Sequence, residues 1–420
     1  MQMLESRTAS NCKFLVEFRF DIRITHSRLR DSECQIHSTS GPGDQAVNAS
    51  RADCVFSKMP FVLALALTLT LAWAPGFARE MPCPVGVNVN SFQNFDAAKQ
   101  QTIVDQLKRS GVRFVRTSLR PDDKNMNLAK NLQSEGIGLV LVVGAVFQPN
   151  APLRPADDNR HMRSAMPLSY ADPALSEAYY KTVFDRLDAF GVTLAGIEVG
   201  NEINWPDFNG DFPLPGRGKA FTLDELTHDP VAKKVAQGLL QYLKVLGVLK
   251  QARDHSKLNQ HTPVISAGMA TASGSEWQQK LQLDSVSIPV TYAFLRAHGL
   301  DQLVDGYGVH TYPQAVKPGD KLGLARRNAE LDKDVFPPGN AKPYWLTEWG
   351  FPSAATSAAE DQARAQSVSE MRDYFLGLFR QGRLGGMFWY VWNEPDHNSI
   401  YRGDGIMDAG RRAVAAMPAH

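Results

Sequence analysis

Eight apolar runs of strand length recur from residue 84 to the end of the chain, and stretches with helical periodicity separate them. The runs are 85–89, 113–117, 138–143, 194–200, 263–267, 306–310, 344–348 and 387–392. Apolar residues at spacings of three and four are clearest in 97–108, 175–190, 232–253 and 367–379. Strands alternating with helices pair in parallel through crossover connections. Eight such units predict an α/β fold, a single-domain (β/α)8 TIM barrel, because an open doubly wound sheet needs fewer strands. Two smaller α/β domains are the alternative, but no linker divides the chain. Long connections follow the third and fourth strands, at 147–172 and 203–229. Loops at that end of a barrel build its site, so both are expected to border one cleft.

The N-terminal part follows other rules. Residues 61–74 read FVLALALTLTLAWA, after Lys58 and before Pro75-Gly76-Phe77-Ala78. That apolar core is short for a membrane span and fits a secretory signal cleaved before Arg79. A buried helix or a retained anchor is the other reading. Since an export signal does not start so far into a chain, residues 1–54 are expected to be an over-extended gene start, 55–78 the signal peptide and 79–420 the barrel domain. The protein is then secreted or periplasmic, with no membrane attachment after cleavage.

The whole chain has 420 residues, is 43% hydrophobic and 21% charged, and carries a formal charge of +1. Residues 1–78 hold 8 Lys/Arg and 7 Asp/Glu, so the remainder is formally neutral. Such a balance excludes a disordered chain and gives no electrostatic footprint for nucleic acid. Cys12, Cys34 and Cys54 also fall in the segment set aside, which leaves Cys83 and no intramolecular disulfide. Large-core stability and a monomer are expected.

The motifs of several common chemistries are missing: the phosphate loop, the dinucleotide fingerprint, the G-x-S-x-G elbow and H-E-x-x-H. The histidines lack ligand spacing, so no metal and no cofactor are expected. Instead, carboxylates stand at strand ends. Glu202 ends the fourth run in Gly200-Asn201-Glu202-Ile203-Asn204, and Glu348 ends the seventh in Leu346-Thr347-Glu348-Trp349-Gly350. Two carboxylates over a barrel mouth suit glycosidic cleavage, one giving a proton and the other attacking or activating water. A strand-end glutamate can equally serve a salt bridge. Glu198, four residues before Glu202, faces the same side deeper in the barrel and is read as structural, paired with Arg116 or Arg113.

In their order these motifs resemble the retaining glycoside hydrolases of clan A, the barrel group of cellulases, mannanases, β-xylosidases and endo-galactanases. The resemblance spans residues 84–416. It implies Glu202 as acid/base, Glu348 as nucleophile and Asn201 as partner of the sugar 2-hydroxyl. It further implies Arg116 as partner of the nucleophile, His310 and Tyr312 as lining of the sugar site, and Trp389 as its floor, with Trp392 a rival. A β-linked oligo- or polysaccharide is the implied substrate, cleaved with retention. A non-cleaving carbohydrate-binding barrel linked to exopolysaccharide export and a transglycosylase are the alternatives. Asn393-Glu394-Pro395 copies the clan's acid motif, but too little chain follows it for Glu394 to precede the nucleophile by three strands. The clan's cellulase-like members carry a histidine after strand three, whereas Gly144-Ala145-Val146-Phe147 has none. Trp205, Phe208, Phe212 and Trp277 could stack on sugar faces or simply pack their loops.

Overall fold

The computed structural model describes residues 83–271, 274–317, 319–351, 357–392 and 398–418. The segments read as gene-start extension and export signal lie outside the described residues, as do Asn393, Glu394 and Pro395.

The eight expected strands form one parallel sheet: β1 (Val85–Asn88), β2 (Phe114–Ser118), β3 (Gly138–Val143), β4 (Gly196–Asn201), β5 (Val264–Gly268), β6 (Tyr307–Thr311), β7 (Tyr344–Trp349) and β8 (Leu384–Trp389). Each pairs with its sequence neighbour, and β1 also pairs with β8. The circle closes between β5 and β6 through the parallel bridges Ile265 to Gly306 and Met269 to Val309. Backbone bonds there run from Met269 N to the Gly308 carbonyl (3.0 Å) and from His310 N to the Met269 carbonyl (2.9 Å). The fold is a (β/α)8 barrel.

A helix follows each strand: α1 (Ala97–Arg109), α2 (Asp123–Ser134), α3 (Pro173–Phe190), α4 (Pro230–Asp254), α5 (Ile288–Ala297), α6 (Lys321–Asp334), α7 (Ala358–Arg380) and α8 (Asp408–Ala413). Local chemistry sets their starts. Asp96, Asp122, Asp172, Asp229 and Asp320 accept backbone N–H bonds at the first turns of α1, α2, α3, α4 and α6, and Ser287 does so for α5. Ser357 and Glu360 close a reciprocal capping box on α7. Proline at the first position of α3 and α4 costs no helical hydrogen bond. Among the described residues, no helix is long and apolar enough to cross a membrane.

Two apolar layers result. Val140, Ile265, Trp345 and Phe388, with Phe114 and Ala195, fill the barrel interior, while the larger core lies between sheet and helices. Trp345 dominates the interior, and β8 makes room for it with glycine. A Cβ on Gly386 would stand 2.6 Å from Trp345 Cε3. The ring can therefore lie flat against the β8 backbone only where no side chain intervenes.

The connection after β3 and the one after β4 are tied into one wall. Arg163 grips the Asp207 carboxylate from Nε (2.9 Å) and Nη2 (2.6 Å), Arg154 reaches the Pro206 carbonyl, and Ser169 Oγ donates to Asp211 Oδ1 (2.5 Å). Phe208 lies under the Arg163 guanidinium, 4.3 Å from ring centre to Cζ, and Phe212 is buried against Phe221. Those two aromatics pack the loops.

Gly386→Ala is expected to lower unfolding stability by about 1–3 kcal/mol, the usual cost of forcing a methyl group into a filled core. Urea denaturation checks this; wild-type stability in the variant would mean that the Trp345 ring is not held where its contacts place it.

Candidate active site

Strand β4 delivers two glutamates to the barrel axis. Alternation turns Glu198 inward, where it has no solvent exposure. The chain then leaves the strand, and Glu202 takes a left-handed backbone conformation (φ 43°) that side-chain-bearing residues rarely adopt. A bond from Glu202 N to the Gly268 carbonyl (2.8 Å) holds that turn and aims the side chain over the mouth.

Strand β7 brings the other carboxylate by a different device. Simple alternation would turn Thr347 inward and Glu348 outward. However, Val309 and His310, adjacent on β6, face Leu346 and Glu348, and Met387 and Trp389 on β8 face Leu346 and Trp349. Strand β7 thus carries one extra residue relative to both neighbours, a bulge that re-aims a side chain. Both Thr347 and Glu348 reach the interior in consequence.

Arg116 on β2 joins the two glutamate-bearing strands. Its Nε donates to Glu198 Oε2 (2.5 Å), Nη2 to Glu198 Oε1 (3.1 Å) and to Asn201 Oδ1 (3.1 Å), and Nη1 to Glu348 Oε1 (2.8 Å) and Asn88 Oδ1 (2.7 Å). Glu198 Oε1 also accepts from Gly268 N (2.8 Å) and Thr347 Oγ1 (3.1 Å). Every oxygen of that buried carboxylate is therefore answered. Arg113, the other cation considered for Glu198, makes no such bond among those described.

On β6, His310 lies almost wholly buried, with Nδ1 2.9 Å from Glu202 Oε1, Nε2 3.1 Å from Thr347 Oγ1, and Glu348 Oε2 3.5 Å away. Its ring occupies the space beside β5 that a side chain on Gly268 would take, since a Cβ there would come within 2.0 Å of Nε2. Because the Thr347 hydroxyl gives its only proton to Glu198, it accepts from His310 Nε2–H. The Nδ1 edge then shares one proton with Glu202. Trp205 Nε1 donates to the other Glu202 oxygen (3.1 Å), and the Tyr312 hydroxyl donates to Glu348 Oε2 (2.7 Å).

The charges around these groups set their protonation. Burial alone would raise the Glu348 carboxyl, but the positive charges of His310 and Arg116, with hydrogen bonds from Tyr312 and Arg116, hold it below the usual carboxylate range. Burial works against a charged His310, yet Glu348 and its bond to Glu202 raise its pKa above the ordinary imidazole value. Burial, then the neighbouring carboxylates, keep the Tyr312 hydroxyl protonated well above its normal range. An ionised Glu348 thus faces a His310 imidazole that binds its proton more tightly than usual.

Glu202, His310 and Glu348 offer one ligand atom each within 4.8 Å of one another, the only such trio among the described residues. Their lone pairs are already met by Arg116, Tyr312 and Trp205 donors, and the Arg116 guanidinium stands beside Glu348. That donor set suits a proton-transfer site better than a cation.

Six of the seven sequence-predicted residues converge: Arg116, Asn201, Glu202, His310, Tyr312 and Glu348. Trp389 does not. It is fully buried with its ring 4.9 Å from that of Trp349 and its indole N–H on the Asn398 carbonyl (2.9 Å). Trp392 is buried too, stacked on Tyr401. Tyr390 stands beside the site instead, edge-on to Tyr312 (6.1 Å) and accepting from Asn90 Nδ2 at its hydroxyl (2.6 Å). Inward-facing Phe388 gives the signal that finds it, since Tyr390 lies two residues on. Asn88 and Thr347 were also missed; they are polar residues inside apolar strands, which the packing of a barrel must explain.

No protein-family model and no curated protein matches the sequence. Solved structures do. One is a GH128 subgroup II endo-β-1,3-glucanase from Sorangium cellulosum, 14% identical, covering 81% of this chain and 100% of its own at a TM-score of 0.47. A fungal β-1,4-galactanase is 15% identical over 73% of this chain and 89% of its own (TM-score 0.42). A GH39 enzyme from Xanthomonas axonopodis pv. citri is 16% identical over 79% and 65% (TM-score 0.45). At such distances the functional reading rests on the side chains of this chain.

Arg116→Ala leaves Glu198 and Glu348 buried without their shared cation, and is expected to cost about 3–5 kcal/mol near neutral pH. Glu348's depressed pKa contributes stability above its unfolded value of about 4.5, and this is lost as pH falls through the folded value. The deficit of the variant should therefore shrink on acidification. Urea denaturation across pH is the check; an equal deficit at all pH would mean that charge compensation is not what Arg116 supplies.

Proposed function

We propose that the protein is an exported, monomeric glycoside hydrolase that cleaves β-linked oligo- or polysaccharides with retention, in the manner of clan A. The observation that carries this reading is the asymmetric carboxylate pair. An oxygen of Glu202 and an oxygen of Glu348 lie no more than 4.8 Å apart, near enough for the two carboxyls to flank one glycosidic bond. Their surroundings differ as the two roles demand: Glu348 is held ionised by Arg116 and His310, and Glu202 shares a proton with His310.

In the first step Glu348 Oε attacks the anomeric carbon, the glycosidic C–O bond breaks, and Glu202 passes its proton to the departing oxygen. A covalent glycosyl ester and the free leaving group result. In the second step Glu202 takes a proton from water, whose oxygen attacks the same carbon and releases Glu348. Arg116 and Tyr312 keep the nucleophile's two oxygens oriented, while Asn201, with its carbonyl end fixed by Arg116, presents its amide NH2 to the sugar. The segment 61–74 supports export.

A panel of β-glucans, galactans, mannans and xylans assayed by reducing-sugar release, with anomeric configuration followed by NMR, tests the proposal. The first-formed product should be the β anomer. Glu348→Gln should reduce turnover by roughly 10⁴-fold or more while leaving the fold intact, since a nucleophile acts as part of a unit. An α product, or an unimpaired variant, contradicts the assignment.

A further inference from the structure

A large space opens on one side of Glu202. A cavity of about 830 Å³ opens from Glu202, His310 and Tyr312 and runs between the segments after β5 and β6 towards α6; Glu348 does not line it. In-line displacement puts the leaving oxygen on the face of the anomeric carbon opposite Glu348 and next to Glu202, so a space that opens from Glu202 and not from Glu348 is the leaving-group side. Trp205 and Trp277 form one of its walls, their ring centres 6.2 Å apart and their planes inclined by 41°. Trp205 also donates to Glu202, whereas Trp277 is 48% exposed and touches no catalytic group in the described contacts. A half-exposed indole beside a second indole is costly to leave facing water, and it offers the flat apolar face on which the C–H face of a pyranose packs.

We infer that Trp277, with Trp205, forms a binding site for a pyranosyl leaving group, so that the enzyme selects bonds whose leaving group is itself a sugar. The inference rests on the glycosidase reading above. In the second chemical step the same site would hold an acceptor sugar in competition with water.

The test compares two substrates of one glycone. Using the sugar that wild-type protein turns over in the panel, kcat/KM is measured for the β-linked tetrasaccharide and for the β-fluoride of the corresponding disaccharide, whose leaving group is a single atom. Trp277→Ala should lose about tenfold on the tetrasaccharide, the equivalent of one aromatic stacking contact. It should keep wild-type kcat/KM on the fluoride, and Trp277→Phe should restore most of the lost rate. Equal losses on both substrates, or no loss on the tetrasaccharide, would overturn the site. If wild-type protein cleaves neither substrate, the glycosidase reading fails first, and the site with it.

Discussion

A single guanidinium carries two buried carboxylates. Arg116 bonds Glu198 through two nitrogens and Glu348 through a third, and its own pKa is raised by both of them against the pull of burial. One cation facing two anions leaves negative charge over, and His310 takes up part of the excess by binding its proton more tightly. The charge states of Glu348 and His310 therefore follow from a charge imbalance at the barrel axis rather than from any one residue. Glu198 contributes to this without reaching the cleft. By occupying the Nε/Nη2 edge of the guanidinium it fixes the orientation in which Nη1 meets Glu348.

The geometry of the strands makes this cluster possible. Four adjacent devices bring polar atoms to one point: the left-handed turn at Glu202, the bulge in β7, the missing side chain at Gly268 and the inward Arg116 of β2. The turn and the bulge depart from the regular alternation that fills the lower barrel with Phe114, Trp345 and Phe388, while Arg116 follows it, two residues beyond Phe114. The lower interior is thus apolar packing, and the upper interior is a satisfied polar network. A network of this kind is rigid because any member that moves leaves a partner buried and unpaired.

Much of the architecture was legible in the residues. All eight strands stand within three residues of their apolar runs, because a parallel strand buried on both faces reads as a continuous apolar stretch. The eighth was placed too late, since Gly385 and Gly386, present to admit Trp345, carry no apolar signal. Glu202 and Glu348 stand out by their positions at strand ends, and Glu198 by its period-two spacing from Glu202. Trp389 differs from the expectation for a physical reason: a tryptophan at a strand end looks like a sugar platform, but alternation from inward Phe388 turns it against Trp349 and brings Tyr390 beside Tyr312. The bulge at Thr347 had no local signature at all, because register is a property of paired strands and not of one segment. Of the four candidate loop aromatics, the sequence could not separate Phe208 and Phe212, which pack within loops, from Trp205 and Trp277, which meet the cavity.

In the proposed mechanism a Glu348 oxygen forms a covalent bond to the sugar. Incubation with a 2-deoxy-2-fluoro-β-glycosyl fluoride of the sugar the enzyme accepts, whose fluorine slows release of the glycosyl ester, followed by mass spectrometry of proteolytic peptides, reads this bond directly. A single added glycosyl group on Glu348 is expected, with inactivation in step with labelling. A label on any other carboxylate, or turnover of the natural substrate with no covalent species and an inverted product, would contradict it.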